Sequence, residues 1–289
     1  MPTVTIGIPT YNRLDLLRIM SGSLYRSDLT VSPNIRIYDD CSFEYGNDIL
    51  QELFPTAKSI KINGINIRAE RNMYQMYVDF LSTNDDYFFN ADSDIIFTKQ
   101  WLTNALEMIK KTDGVLSLFN TVAHEPYQIC DDIFCLKRTI GAAGTLFKRE
   151  CLSKMLKYFD SVEKVKGFDW QWSEFFTNND IKIYCVNKSL VQHIGYKGQN
   201  ASFYFDVGSG FKIETVEDGQ IINDIFLESI NNLRDALWKQ RNEFLKIIEK
   251  RDNSFKYHIK QCLKIIEKKI RKIRDKFKKI FWEIASAPD

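Results

Sequence analysis

Through the first two thirds of the chain, short runs rich in β-branched and aromatic residues alternate with stretches whose apolar positions recur at helical spacing. This alternation predicts an α/β fold: repeated strand and helix units forming a mostly parallel, Rossmann-like sheet flanked by helices. Strands are expected at Val4 to Ile8, Ile35 to Tyr38, Ser59 to Ile62, Tyr87 to Asn90, Val115 to Phe119, Gly144 to Phe147 and Ile181 to Val186. Helices are expected at about Arg13 to Tyr25, Ala69 to Leu81, Lys99 to Lys111, Arg149 to Phe159 and Asp169 to Asn178. In open sheets of this kind ligands bind beyond the carboxyl ends of the strands, so the loops that leave those ends are where chemistry is sought.

Beyond about residue 225 the pattern changes. Glycine and proline vanish until Pro288, and Leu233, Leu237, Phe244 and Ile248 lead into Ile259, Leu263, Ile266, Ile270, Ile273, Phe277, Ile280 and Ile284. From Ile259 the apolar spacing alternates between four and three, a heptad seam on a long helical extension. The expected division is a body over 1–225 and a helical tail over 226–289.

Charge sharpens this division. The 289 residues carry a net charge of only +2, but residues 1–233 sum to −7 and residues 234–289 to +9. The small total therefore hides a basic tail on an acidic body, with no global footprint for nucleic acid. The tail ends in Phe277, Ile280, Phe281 and Trp282. Its apolar stripe needs cover, from a second copy of the chain along 233–284 (a homodimer), from the body, or from an anionic membrane surface. The six cysteines are scattered without a Cys-x-x-Cys pair, which argues against a zinc site or a disulfide framework. No apolar run reaches the ~18 residues of a membrane span, and the N-terminus lacks signal-peptide features. The expected location is cytoplasmic, with the tail as a means of peripheral attachment to the inner face of the cell membrane.

The polar residues cluster after the strands. Pro9-Thr10-Tyr11-Asn12-Arg13 follows the first, Asp39-Asp40-Cys41-Ser42 the second, and Asn63-Gly64 leads from the third to Arg68, Arg71 and Asn72. After the fourth, an apolar strand runs directly into Asp92-Ser93-Asp94. Residues i and i+2 of an extended segment point the same way, so both carboxylates can face one hard divalent cation, Mg²⁺ or Mn²⁺, or the ribose and phosphates beside it. Such an ion neutralises a diphosphate, as is needed when a nucleotide leaves a sugar.

Together with Gly141-Ala142-Ala143-Gly144-Thr145-Leu146-Phe147, these segments resemble, in order and spacing, a glycosyltransferase of the GT-A fold. The likeness is greatest to the family 2 type that builds bacterial cell-surface glycans, and it covers roughly residues 3 to 200. It implies a nucleotide-sugar half over about 1–95 and an acceptor half over about 96–225. It further implies a donor-binding set of Pro9, Tyr11, Arg13, Asp39, Asp40, Arg71, Asp92 and Ser93. Within that set an acid of the Asp39-Asp40 pair reads uracil and Asp92 approaches the ribose. Asp94 holds the metal, and His193, in Ser189-Leu190-Val191-Gln192-His193-Ile194-Gly195, completes the metal or diphosphate site. Cys41 departs from the family, which usually has glycine there, and is expected to be tolerated.

The Gly167-Phe168-Asp169-Trp170-Gln171-Trp172 cluster falls where such enzymes carry a catalytic carboxylate, and Asp169 fits the base that takes the acceptor hydroxyl's proton in an inverting transfer. Trp170 and Trp172 are candidates for stacking on acceptor sugars, with core packing as the competing role for Trp172. Lys197, Gln199 and Asn200 sit in a polar loop suited to covering a diphosphate. The expected activity is metal-dependent, inverting transfer of a hexosyl or N-acetylhexosaminyl group from a UDP-sugar to a hydroxyl of a glycan or lipid-linked glycan. Two alternatives compete. A sugar-nucleotide pyrophosphorylase normally begins with a Gly-rich loop, and Pro9 to Arg13 contains no glycine. A non-catalytic coiled-coil partner protein would have no need of Asp92, Asp94 and Asp169.

Overall fold

In the computed structural model, which describes residues 2–160, 168–195, 205–249 and 253–285, β1 (Val4–Thr10) is buried along almost its whole length. Such burial suits a strand flanked on both sides and covered on both faces. Its neighbours are β2 (Asn34–Asp39) and β4 (Tyr87–Asn90), both parallel to it, with β3 (Ser59–Ile62) parallel to β2. Between them run α1 (Leu14–Arg26), α2 (Asn47–Leu53) and α3 (Ala69–Leu81). After β4 come β5 (Ile95–Phe97), α4 (Trp101–Ile109), β6 (Val115–Ser117), β7 (Pro126–Ile129), β8 (Phe134–Lys137) and β9 (Thr145–Lys148). Then follow α5 (Arg149–Asp160), α6 (Phe168–Asn178), β10 (Ile183–Val186), β11 (Val191–His193), α7 (Val216–Glu249) and α8 (Asn253–Ala285).

The main sheet has the order β3-β2-β1-β4-β9-β6-β10-β8-β7, and β8 and β9 run against the rest. One face packs against α1, α2 and α4 through Leu17, Met20, Leu24, Leu50, Trp101 and Leu102. The other packs against α3, α5 and α6 through Tyr77, Phe80, Leu152, Met155, Trp172 and Phe176. Strand residues alternate between these two cores, Phe89 facing the first and Phe88 the second. That is the expected α/β architecture of a large, mostly parallel sheet flanked by helices, with a helical C-terminal part.

Four strands and one helix lie outside the sequence expectation: β5, β7, β8, β11 and α2. β5 and β11 are three residues each, too short to show a period, yet they pair antiparallel as a separate ribbon. Ile96, Ile194, Phe205 and Ile222 form a small core beneath it.

The chain divides into two compact units, Met1–Leu227 and Glu228–Asp289. Within the second, Arg241 Nε lies 3.0 Å from Glu267 Oε1, and Leu237, Leu245, Ile259 and Leu263 are half-buried. Further along the heptad seam, Ile266 and Ile270 are 50% and 39% exposed. Among the described residues, no helix is long and apolar enough to cross a membrane.

Candidate metal centre

The site begins where β4 leaves the sheet. Asn90, opposite Gly7 of β1 and Thr145 of β9, is fully buried. Its amide donates to Asp92 Oδ1 (2.8 Å) and to the carbonyl of Ala142 (3.2 Å), which orients the first carboxylate. Asp94 stands at the entrance to β5. Pairing of β5 with β11 sets His193 opposite Ile95, and the Ile194 N–H donates to the Asp94 carbonyl at 2.8 Å. The ribbon thereby carries a histidine about a hundred residues distant in sequence to the second carboxylate, with Nε2 3.2 Å from Asp94 Oδ1. One ligand atom from each of Asp92, Asp94 and His193 falls within 4.8 Å of the others.

The three groups are electrostatically interdependent. Burial, and then the charge of Asp94, pushes the Asp92 carboxyl up to about 6. Burial raises Asp94 too, but His193 and Arg13 outweigh it and hold that carboxyl well below the usual range. Burial lowers the His193 imidazole, and Asp94 with Asp92 overrides this and raises it. A buried and a half-buried carboxylate with one imidazole fit a divalent cation, whose charge relieves the repulsion between the acids. Gly195 adds a steric observation: a Cβ there would lie 1.9 Å from Asp94 Oδ2 and 3.1 Å from His193 Nε2. The chain passes so close to the carboxylate that glycine is the residue that fits.

Arg13 comes from the loop after β1, the parallel neighbour of β4. Asn12 and Arg13 both adopt left-handed backbone (φ 52° and 57°), a conformation that costs about 1 kcal/mol or more per non-glycine residue. The 42–45 segment holds them there. Ser42 Oγ accepts the Asn12 N–H (2.8 Å), Asn12 Oδ1 accepts the Phe43 N–H (3.0 Å), the Tyr45 hydroxyl donates to the Asn12 carbonyl (3.2 Å), and Glu44 accepts the Leu14 N–H (2.9 Å). Arg13 is thus aimed across the loop, with Nη1 2.7 Å from Asp94 Oδ2.

Asp39 and Asp40 are both buried and heavily engaged. Asp39 accepts from the Thr10 and Ser42 hydroxyls and from the Ser42 N–H. Asp40 accepts from the Asn63 amide (3.1 Å) and from the backbone N–H groups of Ile67 (2.8 Å) and Arg68 (2.9 Å). With four lone-pair directions per carboxylate, each acid keeps one, on Oδ2. Arg68 has φ 74° and ψ 159°, a region populated essentially by glycine, so Asp40 stabilises a strained turn ahead of α3. Asp40→Ala is expected to cost about 2 kcal/mol by removing the acceptor of three part-buried donors. The check is a lowered urea midpoint at unchanged slope, and a loss under about 1 kcal/mol would mean the turn is held by other contacts. Cys41 has φ 64°, in the left-handed region that favours glycine.

Of the remaining sequence candidates, Pro9 is half-buried at the end of β1, Tyr11 is 37% exposed, Ser93 is buried, and Arg71 is exposed in the first turn of α3. Asp169 and Trp170 fall at the start of α6, and their side chains, like residues Lys197, Gln199 and Asn200, lie outside the described residues. Trp172 is fully buried between Phe147 (ring centroids 5.4 Å, edge-on) and Tyr77 (6.1 Å). Its faces therefore serve the core, which corrects the expectation that it stacks on a sugar. Gln192 was not singled out by sequence reasoning. It is fully buried, its amide nitrogen donating to the Asp206 carbonyl (2.9 Å) and its oxygen accepting the Gly208 N–H (2.8 Å), so it ties the 206–208 segment to the strand that carries His193. Its only sequence signal was adjacency to a candidate ligand.

No family model and no curated protein matches the chain. Among solved structures the chain is similar to a mannosyltransferase from Pyrobaculum calidifontis in complex with GDP-mannose and Mn²⁺, at 15% identity and a TM-score of 0.45. That likeness covers 61% of this chain and 51% of the other, so the chain spans about half the length of that protein.

Proposed function

We propose that the chain is a metal-dependent, inverting glycosyltransferase of the GT-A fold and family 2 type. It moves a hexosyl or N-acetylhexosaminyl group from a UDP-sugar to a hydroxyl of a glycan or lipid-linked glycan. The observation that carries this reading is the Asp92, Asp94 and His193 group at the sheet's carboxyl edge, with Arg13 reaching it from the loop after β1. A bound divalent cation there offsets the charge of a leaving diphosphate. Because one of the three donors is an imidazole nitrogen, Mn²⁺ suits the set better than Mg²⁺, which prefers oxygen.

The chain's own residues supply the rest. Asn90 orients Asp92 toward the donor's ribose. Tyr11, with its ring accessible, and Pro9 line the base, and an acid of the Asp39-Asp40 pair uses its remaining lone pair on the uracil N–H. Arg71 and Ser93 complete the donor side. Asp169, in the first turn of α6, takes the proton of the acceptor hydroxyl as that oxygen attacks the anomeric carbon opposite the departing nucleotide, with Trp170 on the acceptor.

The test needs no acceptor, because enzymes of this class slowly hydrolyse their own donors. Purified protein is incubated with a panel of nucleotide sugars with Mn²⁺ and with a chelator. Release of UDP from a UDP-sugar that stops on chelation is expected, and no release from any donor would sink the reading.

The basic tail is proposed as a peripheral anchor on an anionic leaflet, since the exposed Ile266 and Ile270 lie among Lys268, Lys269 and Arg271. Removing residues 234–289 is expected to abolish co-sedimentation with phosphatidylserine vesicles. Unaltered co-sedimentation would leave pairing of two copies through the same seam as the better account.

A further inference from the structure

The metal centre already contains a cation of the protein's own. Asp94 is almost wholly buried and both its oxygens face positively charged or chargeable nitrogens, Arg13 Nη1 at 2.7 Å from Oδ2 and His193 Nε2 at 3.2 Å from Oδ1. A divalent ion placed among Asp92, Asp94 and His193 would share Asp94 with the guanidinium at close range, and two cations competing for one carboxylate in a buried site repel strongly. The two partners differ in freedom. Asp94 has a side chain 4% exposed and the 195 backbone against it, whereas the Arg13 side chain is 38% exposed. Its backbone is pinned by the contacts of Asn12 with the 42–45 segment. The guanidinium is therefore the group able to turn away, about a fixed base.

We propose that Arg13 is the counter-charge of Asp94 in the metal-free protein. On loading it yields Asp94 to the divalent cation and turns to the diphosphate of the nucleotide, so that metal and nucleotide bind as a coupled pair. The planar, multi-donor guanidinium suits a diphosphate as well as it suits a carboxylate, so it exchanges one anion for another without being left unpaired. This inference rests on the glycosyltransferase reading for the identity of the nucleotide, but its first half concerns the metal alone. Coupling of this kind is reciprocal: UDP tightens Mn²⁺ by the same factor that Mn²⁺ tightens UDP, and Arg13 is the residue through which part of that factor passes.

The experiment is calorimetric titration of the full chain and its Arg13→Gln and Arg13→Lys variants with Mn²⁺, each without and with saturating UDP. Without UDP, Arg13→Gln is expected to bind Mn²⁺ about five-fold or more tighter than the parent, because the competing charge is gone. With UDP, the gain in Mn²⁺ affinity is expected to shrink in Arg13→Gln by about ten-fold, with Arg13→Lys, which keeps the charge, nearer the parent in both arms. Equal or weaker Mn²⁺ binding by Arg13→Gln alone, at an unchanged melting temperature, overturns the proposal. If Mn²⁺ binds as expected in the first arm but UDP binds none of the proteins, the functional reading fails while the counter-charge role stands. Absence of Mn²⁺ binding in all three proteins overturns both.

Discussion

On the proposed glycosyltransferase reading, Asp94→Asn is expected to lower metal-dependent donor turnover by about 10³-fold or more, which corresponds to roughly 4 kcal/mol of lost transition-state stabilisation. The substitution is nearly isosteric and keeps an oxygen, so the loss reports the carboxylate's charge rather than its volume. Asp94 contacts both other partners of the centre, His193 through one oxygen and Arg13 through the other, and Asp92 remains as the last acidic donor of the group. Stability moves much less because two effects oppose. Removing the charge weakens the pairing of Arg13 and His193 with the centre, which destabilises, and it relieves the repulsion that raises Asp92, which stabilises. Thermal unfolding of the variant is expected to stay within about 2 kcal/mol of the parent, so the lost turnover cannot be assigned to unfolding. Turnover within tenfold of the parent, at unchanged metal dependence, would remove Asp94 from the metal centre.

The fold was legible wherever a segment was long enough to show its period. β1, β2, β3, β4, β6, β9 and β10, with α1 and α3 to α6, fall within a few residues of the expected spans, because each buries a face or both faces against one of two cores. The ribbon of β5 and β11 was not legible. Three residues carry no periodicity, and the pairing that joins them is between segments about a hundred positions apart. That ribbon is the element that assembles the site. Asp92 and Asp94 were readable from their spacing after a buried strand, and resemblance suggested that His193 completes the metal or diphosphate site, but its approach to Asp94 rests on a cross-strand register that local pattern does not encode. Trp172 shows the opposite limit. Tryptophan in a short amphipathic helix is compatible with core and with sugar stacking, and only its contacts with Phe147 and Tyr77 decide for the core.

Gly195→Ala is expected to weaken Mn²⁺ binding by about 100-fold while leaving the protein folded, an effect that local sequence pattern gives no reason to expect. The added methyl would meet Asp94 Oδ2 at 1.9 Å and its Cγ at 2.6 Å, well inside contact distance, so something must move. The carboxylate has little room to do so, being buried and held from both sides by Arg13 and His193. If it rotates, it leaves the arrangement in which three ligand atoms share one small volume. If instead the backbone of 194–195 retreats, the bond from the Ile194 N–H to the Asp94 carbonyl is strained and His193 moves with it. Either response spreads the group, and loss of about 3 kcal/mol of binding corresponds to the hundredfold change. Overpacking of this kind also costs about 1–3 kcal/mol of stability, so the melting point falls but the transition remains cooperative. Gly46→Ala serves as the control, since a methyl there meets nothing within 4 Å, and it should leave Mn²⁺ affinity unchanged. Retention of Mn²⁺ affinity by folded Gly195→Ala would mean that the ion does not depend on Asp94 in the orientation that Arg13 and His193 impose, and the cation would then have to be held chiefly by Asp92 and His193.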